Sequence, residues 1–334
     1  MGAQIVEGKV IVQGVYDELR SEIPQLILQT GRRPVLVSIY VGSHPAIEIY
    51  IRSQNRVARE LGIEYRWYHL PDTAEEREVL RRLDQLNRDP EVTGIILQLP
   101  LPLHLRRSVL VNAIDPLKDV DGTHPENVGA ALVGEMRVGS CTALAVMRLL
   151  DATGIAMEGK EAVIVGHSEL VGKPVSLMLL ERLATVTICH IATARRGLLA
   201  EHVRRAEILV VAVGSPGVIK GEWIRTGAAV IDVGVSQVGK RIVGDVELAA
   251  AQERAAFITP VPGGVGPVTV SMLMQNTVKA FKAQTATAAS QCSAAPSAPS
   301  RSLPVESPAW AALQIRPLLA EAAACQLRQK VCQF

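Results

Sequence analysis

Short apolar runs alternate with amphipathic stretches along the first hundred residues. Val35–Val41 reads as a buried strand, a helix follows near Glu48–Leu61, and Glu64–Leu70 is extended again. Asp72-Thr73-Ala74-Glu75 has the form of a helix N-cap, opening a helix with Val79, Leu80, Leu83 and Leu86 on one face. Gly94–Leu99 is the next strand. A second series begins after a linking helix at Thr142–Thr153. Its strands are expected at Ala162–Val165, Val186–Cys189, Ile208–Val213 and Val230–Val233. Strand and helix in alternation predict parallel, doubly wound α/β units. A return helix at Val268–Lys282 should pack on the first unit and close a cleft between two lobes, where α/β folds usually hold ligands.

From Gln284 the chain turns to Ala, Ser, Thr and Pro, too poor in apolar residues to order itself. Trp310–Val331 is apolar enough for a short helix, which Pro317 interrupts. The expected organisation is therefore 1–140, 141–266, a returning segment 267–283, and a mostly disordered tail 284–334.

Composition narrows the possible functions. The chain has 334 residues, 48% of them apolar, enough for a large core and two domains. A net charge of +2 with mixed signs leaves no basic stripe for nucleic acid, and 3% aromatics leave few stacking platforms. No apolar run is long enough for a bilayer, and no leader pattern is evident, so a cytoplasmic protein is expected. The five cysteines form no CxxC pair or metal spacing, and no metal is expected.

The richest motif is Ile258-Thr259-Pro260-Val261-Pro262-Gly263-Gly264-Val265-Gly266-Pro267-Val268-Thr269. Prolines stiffen it, glycines bare its backbone, and it delivers a helix N-terminus whose free N–H groups suit a polar ligand. A second glycine turn, Gly166-His167-Ser168, follows a strand and precedes a helix, as a dinucleotide site requires. It lacks the full GxGxxG pattern and is weak alone. Gln98 stands at a strand end, before Pro100. Lys118-Asp119-Val120-Asp121-Gly122 sets two carboxylates on one face of an extended segment, without the further oxygens a calcium loop needs. Tyr50 and Gln54 lie four residues apart on one helix face. Turn, cap or solvated charge would explain each piece singly; together they surround one cleft.

On these segments, with Val230–Gly234 and Val243-Gly244-Asp245-Val246, residues 3 to 283 resemble the methylenetetrahydrofolate dehydrogenase/cyclohydrolase (FolD) family. The resemblance implies a folate-binding lobe, a Rossmann-like lobe for NADP or NAD, tetrahydrofolate derivatives as substrates, and a homodimer. It implies that Tyr50 stacks on the folate rings, that Gln98 bonds near the reacting centre, and that Asp121 accepts from the pterin. Pro262, Gly263 and Gly264 would lie against the folate, and Gly166, His167, Ser168 and Val235 would contact the nucleotide.

Departures from the family pattern carry as much information. The catalytic lysine position is Gln54, the arginine of the glycine turn is His167, and the serine three before the tyrosine is Ile47. Cys189-His190-Ile191-Ala192-Thr193 lacks the usual Ser-Lys/Arg pair, and Ser140-Cys141-Thr142-Ala143 stands for Pro-Cys-Thr-Pro. Hydride transfer needs mainly two positioned rings. Hydrolysis of the methenyl product needs a group that exchanges protons, which a glutamine amide cannot do. Arg56, on another helix face, would stay charged. Two readings follow: a dehydrogenase with its cyclohydrolase step weak or lost, or a non-catalytic paralogue that binds folate or a partner.

Overall fold

The computed structural model describes residues 2–239 and 241–293. Its elements are β1 (Gln4–Ile5), α1 (Gly8–Thr30), β2 (Val35–Val41), α2 (Pro45–Leu61), β3 (Glu64–Leu70), α3 (Glu76–Arg88), β4 (Gly94–Leu97), α4 (Arg107–Asn112), α5 (Pro125–Leu132) and α6 (Cys141–Thr153). They continue with β5 (Glu161–Val165), α7 (Gly172–Glu181), β6 (Thr185–Cys189), α8 (Ile191–Arg195), α9 (Leu199–Arg205), β7 (Ile208–Val211), β8 (Ala229–Asp232), β9 (Ser236–Val238), β10 (Arg241–Val243), α10 (Leu248–Gln252), β11 (Phe257–Ile258) and α11 (Val265–Ser293).

In the first lobe, β3-β2-β4 form a parallel sheet. Every residue of β2 is buried because both faces are covered. Val35, Val37, Ile39 and Val41 pack with Val79, Leu83 and Leu86 of α3 and Leu110 of α4. Leu36 instead joins Leu19 and Ile23 of α1 and Val57 of α2. The pleat sends alternate side chains to the two layers. A side chain such as Leu83, wholly buried, contributes about 1.5–3 kcal/mol relative to exposure.

The second lobe holds a six-stranded parallel sheet in the order β1-β11-β8-β7-β5-β6. An antiparallel β9–β10 hairpin stands apart from it. β1, grouped by sequence with the first lobe, adds the edge strand of the second; its two residues are too few for periodicity to place. The return helix does meet the first lobe. Gln284 Nε2 donates to the carbonyls of Thr93 (2.8 Å) and Leu117 (3.0 Å).

Four expectations need correction. α3 begins at Glu76 with no side-chain cap bond at Glu75; Asp72 instead lies within a turn in which Ala74 N donates to Pro71 O at 2.9 Å. β4 and β7 stop at Leu97 and Val211, short of Leu99 and Val213. α11 runs from Val265 to Ser293, longer than Val268–Lys282 at both ends. Residues 284–293, placed in a disordered tail, are therefore helical: alanine sustains a helix that lacks an apolar face to declare it. The remaining tail, including Trp310–Val331, lies outside the described residues. No described helix is long and apolar enough to cross a membrane.

Candidate active site

The mouth of the first sheet carries a closed polar cluster. α2 presents Tyr50 and, one turn later, Gln54, which is wholly buried. Gln54 Oε1 accepts from Tyr65 Oη of β3 at 2.8 Å and from Gln98 Nε2 at 3.0 Å. Gln98 Nε2 also donates to Ser38 Oγ of β2 at 2.9 Å. Gln98 reaches this position because its N–H continues the ladder past β4, donating to Ile39 O at 2.9 Å. The oxygen of Gln54 is thus fixed by two donors, while its Nε2 is buried without a partner. Burial pushes the phenols of Tyr50 and Tyr65 above their ordinary range, and the Tyr50 hydroxyl lies against the Gln54 amide. Ile47 packs with Tyr40 and Ile51, making this corner apolar.

The Lys118–Gly122 segment divides its charges between structure and site. Lys118 Nζ donates to the carbonyls of Leu86 (2.9 Å), Asn87 (2.7 Å) and Asp89 (2.7 Å), capping the C-terminal end of α3. Asp119 accepts from His124 N at 2.8 Å and Asn127 Nδ2 at 2.9 Å, tying down the start of α5. Asp121 is left for the cleft. Burial, then the neighbouring Asp119 carboxylate, raise its pKa to about 6, opposed by the Cys141 thiol and the Arg107 guanidinium. Its charge, after burial and the Cys141 thiol, helps to raise the pKa of Tyr50.

α11 braces this arrangement. Asn276, wholly buried, donates through Nδ2 to Val120 O and Gly139 O at 2.9 Å each, and to Cys141 Sγ at 3.4 Å. At the other end of the helix stand Pro262, Gly263 and Gly264. Gly8 N donates to Gly263 O at 2.9 Å, fastening that loop to the start of α1. Pro262 and Gly263 are exposed, whereas Gly264 is buried.

In the second lobe, β5 ends at Gly166, whose φ of +123° suits glycine. A Cβ there would overlap the carbonyl of Ala212, and one at Gly172 would overlap that of Gly166. The turn can therefore lie flat between β7 and α7, at the N–H groups that open α7, the kind of place that suits a phosphate. Ser168 Oγ accepts from Val171 N at 3.1 Å. His167, exposed, faces His190 with ring centroids 5.4 Å apart; Ile191 is exposed beyond it. Val235 is also exposed, at the start of the hairpin.

Two carboxylates hold the loops beside this turn. Asp232 accepts from Gly234 N (3.0 Å), Asp245 N (3.1 Å) and Val246 N (2.9 Å), and burial raises its pKa to about 6. Asp245 Oδ2 accepts from Val213 N (2.8 Å) and Gly214 N (2.9 Å). The sequence pattern matched these segments without revealing that their acids serve the backbone. It also missed Tyr65, Ser38 and Asn276, whose positions inside regular elements carry no local signal. The lobes are bridged by Arg107 Nη1 and Glu169 Oε2 at 2.7 Å. A cavity of about 500 Å³ lies beside that bridge, lined by Arg107, Thr123, Asn127, Ser140, Lys173 and Met178; Tyr50, Gln54 and Gln98 do not border it. No group of metal ligands occurs among the described residues.

Comparison with known proteins shows the family. Residues 6–121 match the catalytic domain, and residues 140–285 the NAD(P)-binding domain, of tetrahydrofolate dehydrogenase/cyclohydrolase. The bifunctional protein FolD of Halothermothrix orenii is 47% identical over 281 residues, 84% of this chain and 98% of that protein. That of Moorella thermoacetica is 47% identical over 283 residues, 84% of this chain and all of its own length, 100%. The crystal structure of Trypanosoma brucei FolD, complexed with NADP cofactor and inhibitor, superposes with TM-score 0.81 at 40% identity, covering 85% of this chain and 98% of that one. The chain belongs to the tetrahydrofolate dehydrogenase/cyclohydrolase family.

Proposed function

We propose that the protein oxidises 5,10-methylenetetrahydrofolate to 5,10-methenyltetrahydrofolate with NAD(P)+, and that its cyclohydrolase step is weak or lost. Residues 1–140 and the returning helix would hold the folate, 141–266 the nucleotide, in a homodimer. The observation that carries this reading is Gln54, buried among Tyr65, Gln98 and Tyr50 where hydrolysis needs a proton carrier.

The residues suit the first step. Bound nicotinamide supplies the hydride acceptor. Gly166 and Gly172 let the turn pack flush against its neighbouring backbone, where a side chain at either would collide, and the start of α7 would offer N–H groups to a pyrophosphate. Tyr50 gives the pterin an apolar ring to stack on, and Asp121 gives its amino edge an acceptor. Gln98, held by Ser38 and Gln54, orients polar atoms without exchanging protons. Orientation of this kind accounts for a large share of a transfer rate.

The second step is not served. Water must lose a proton, and every polar side chain bonded to Gln54 is an amide or a phenol whose pKa burial has raised. Arg56 is exposed, away from the cluster. The test is to follow reduced nicotinamide and methenyl-folate together. Accumulation of methenyl-folate with reduced nicotinamide is the expected result. Methenyl-folate cleared as fast as it forms would overturn the loss of hydrolysis, and absence of reduced nicotinamide with either cofactor would overturn the activity.

A further inference from the structure

Gln54 also changes the charge of the cleft, and this inference rests on the folate reading above. Oxidation removes a hydride, a proton with two electrons, from the methylene carbon, so a neutral bridge becomes a cation shared over two nitrogens. Among the described residues, Asp121 borders one small pocket with Arg107, and each cation near it is bonded, paired or exposed. Lys118 is spent on three carbonyls at 2.7–2.9 Å. Arg107 is paired with Glu169 at 2.7 Å. Arg52, Arg56 and Arg59 are exposed on α2, while Gln54 of the same helix is wholly buried. Burial keeps the Cys141 thiol and the Tyr50 and Tyr65 phenols protonated and neutral. Asp119, two residues away in the chain, adds further negative potential.

We propose that Gln54 is a specificity-determining residue that makes the cleft prefer the cationic methenyl form of the folate over the neutral methylene form. The protein should therefore be strongly inhibited by its own oxidised product, and should work well in the direction that reduces it. The Nε2 of Gln54 makes no hydrogen bond of good geometry and lies against the Tyr50 hydroxyl, and it carries no charge to repel a cation. A charged amine in the same place would oppose the cation across a few ångströms. At an effective dielectric of about 20, one unit charge a few ångströms away changes affinity by roughly a hundredfold or more, and by about tenfold at about 12 Å.

The experiment uses the full chain and variants Gln54→Lys, Gln54→Met and Gln54→Glu. Initial rates of reduced nicotinamide formation give two constants for each protein. One is the inhibition constant for added methenyl-folate, the other the Michaelis constant for the methylene substrate, and the first is divided by the second. The ratio cancels losses that affect both ligands, such as distortion of the cluster. It should rise at least about tenfold in Gln54→Lys, stay within about threefold in Gln54→Met, and fall in Gln54→Glu. If Gln54→Lys does not fold, the opposed behaviour of Met and Glu still decides. Wild-type turnover with a ratio indifferent to charge at position 54 overturns this inference alone. No turnover by the wild type overturns the proposed activity and, with it, this inference.

Discussion

Asp121 is held in the cleft at a cost to stability, and Asp121→Asn should expose that cost. Its pKa rises from 3.8 to about 6 on folding, chiefly through burial. The folded protein therefore binds this proton more tightly than the unfolded chain does. A raised pKa contributes stability that is complete below about pH 4 and is lost as pH climbs through 6. Some two units correspond to roughly 3 kcal/mol as an upper bound, at about 1.4 kcal/mol per unit. Asparagine never ionises, so the variant should match the wild type near pH 4, gain through pH 5 and 6, and hold its advantage near pH 8. With about 2.1 cal/mol/K of unfolding entropy per residue over some 290 residues, that advantage is about 5 °C in Tm. The gain should be matched by a functional loss. A carboxylate accepting from an amino edge is worth about 1.5–3 kcal/mol, so the folate KM should rise roughly ten- to a hundredfold near pH 7 while the cofactor KM holds. Thermal scans across pH, with steady-state kinetics at neutral pH, measure both sides. A Tm difference that is flat with pH, or a variant less stable than the wild type at pH 8, would refute the placement of an ionised, desolvated carboxylate here.

Other changes test other joints of the structure. Gln54→Lys should restore part of the methenyl-folate hydrolysis, seen as faster decay of added methenyl-folate; the apolar neighbour Ile47 sets how much, and Ile47→Ser in the same chain should increase it. His167→Arg should raise kcat/KM for NADP over NAD by about tenfold or more, since a fixed guanidinium replaces an imidazole at the 2′-phosphate; an unchanged ratio would place that phosphate elsewhere. Gly172→Ala would set a methyl group against the Gly166 carbonyl, and should raise the cofactor KM while leaving folate binding intact. Lys118→Met strands three carbonyls at the end of α3 and should lower urea stability by about 2–4 kcal/mol.

The central strands were legible because they are buried on both faces, as β2, β4, β7 and β8 are, while the half-exposed β3 was legible from its extended run between helices. Val35–Val41 and Glu64–Leu70 coincide with β2 and β3, and the second series deviates mainly at its ends, where ladder pairing yields to loops. Elements that depend on partners far away in sequence were not legible. β1 is two residues long and exists only because Ile258 and Phe257 stand beside it. α1 runs 23 residues with only Gly8, Val15, Leu19 and Ile23 buried, a face too sparse to stand out among its other apolar positions. The continuation of α11 past Lys282 offers no periodicity either, since its residues are largely Ala, Thr and Gln.

The site shows why motif density and chemistry are different things. Spacing alone does not separate Lys118, Asp119 and Asp121, though the family resemblance singles out Asp121, and in the fold the first two serve neighbouring backbone. Lys118 lies where α3 ends with unpaired carbonyls, and three of them take its ammonium. Asp119 faces the His124 N–H and the Asn127 amide. The second lobe repeats the pattern. Asp232 and Asp245 sit in motifs that could pass for catalytic pairs, yet between them they accept from five backbone N–H groups. The raised pKa of Asp232 and the unmet oxygen of Asp245 reflect the cost of holding irregular loops beside a nucleotide cleft. Charged residues near a binding cleft thus serve two demands, closing loop backbones that no helix or strand satisfies and meeting the ligand. The sequence shows the sum of both. Only the position of each side chain relative to an unpaired carbonyl or N–H separates them, and by that criterion Lys118, Asp119, Asp232 and Asp245 belong to the backbone, while Asp121, Gln98 and the Nε2 of Gln54 are the groups we propose for the substrate.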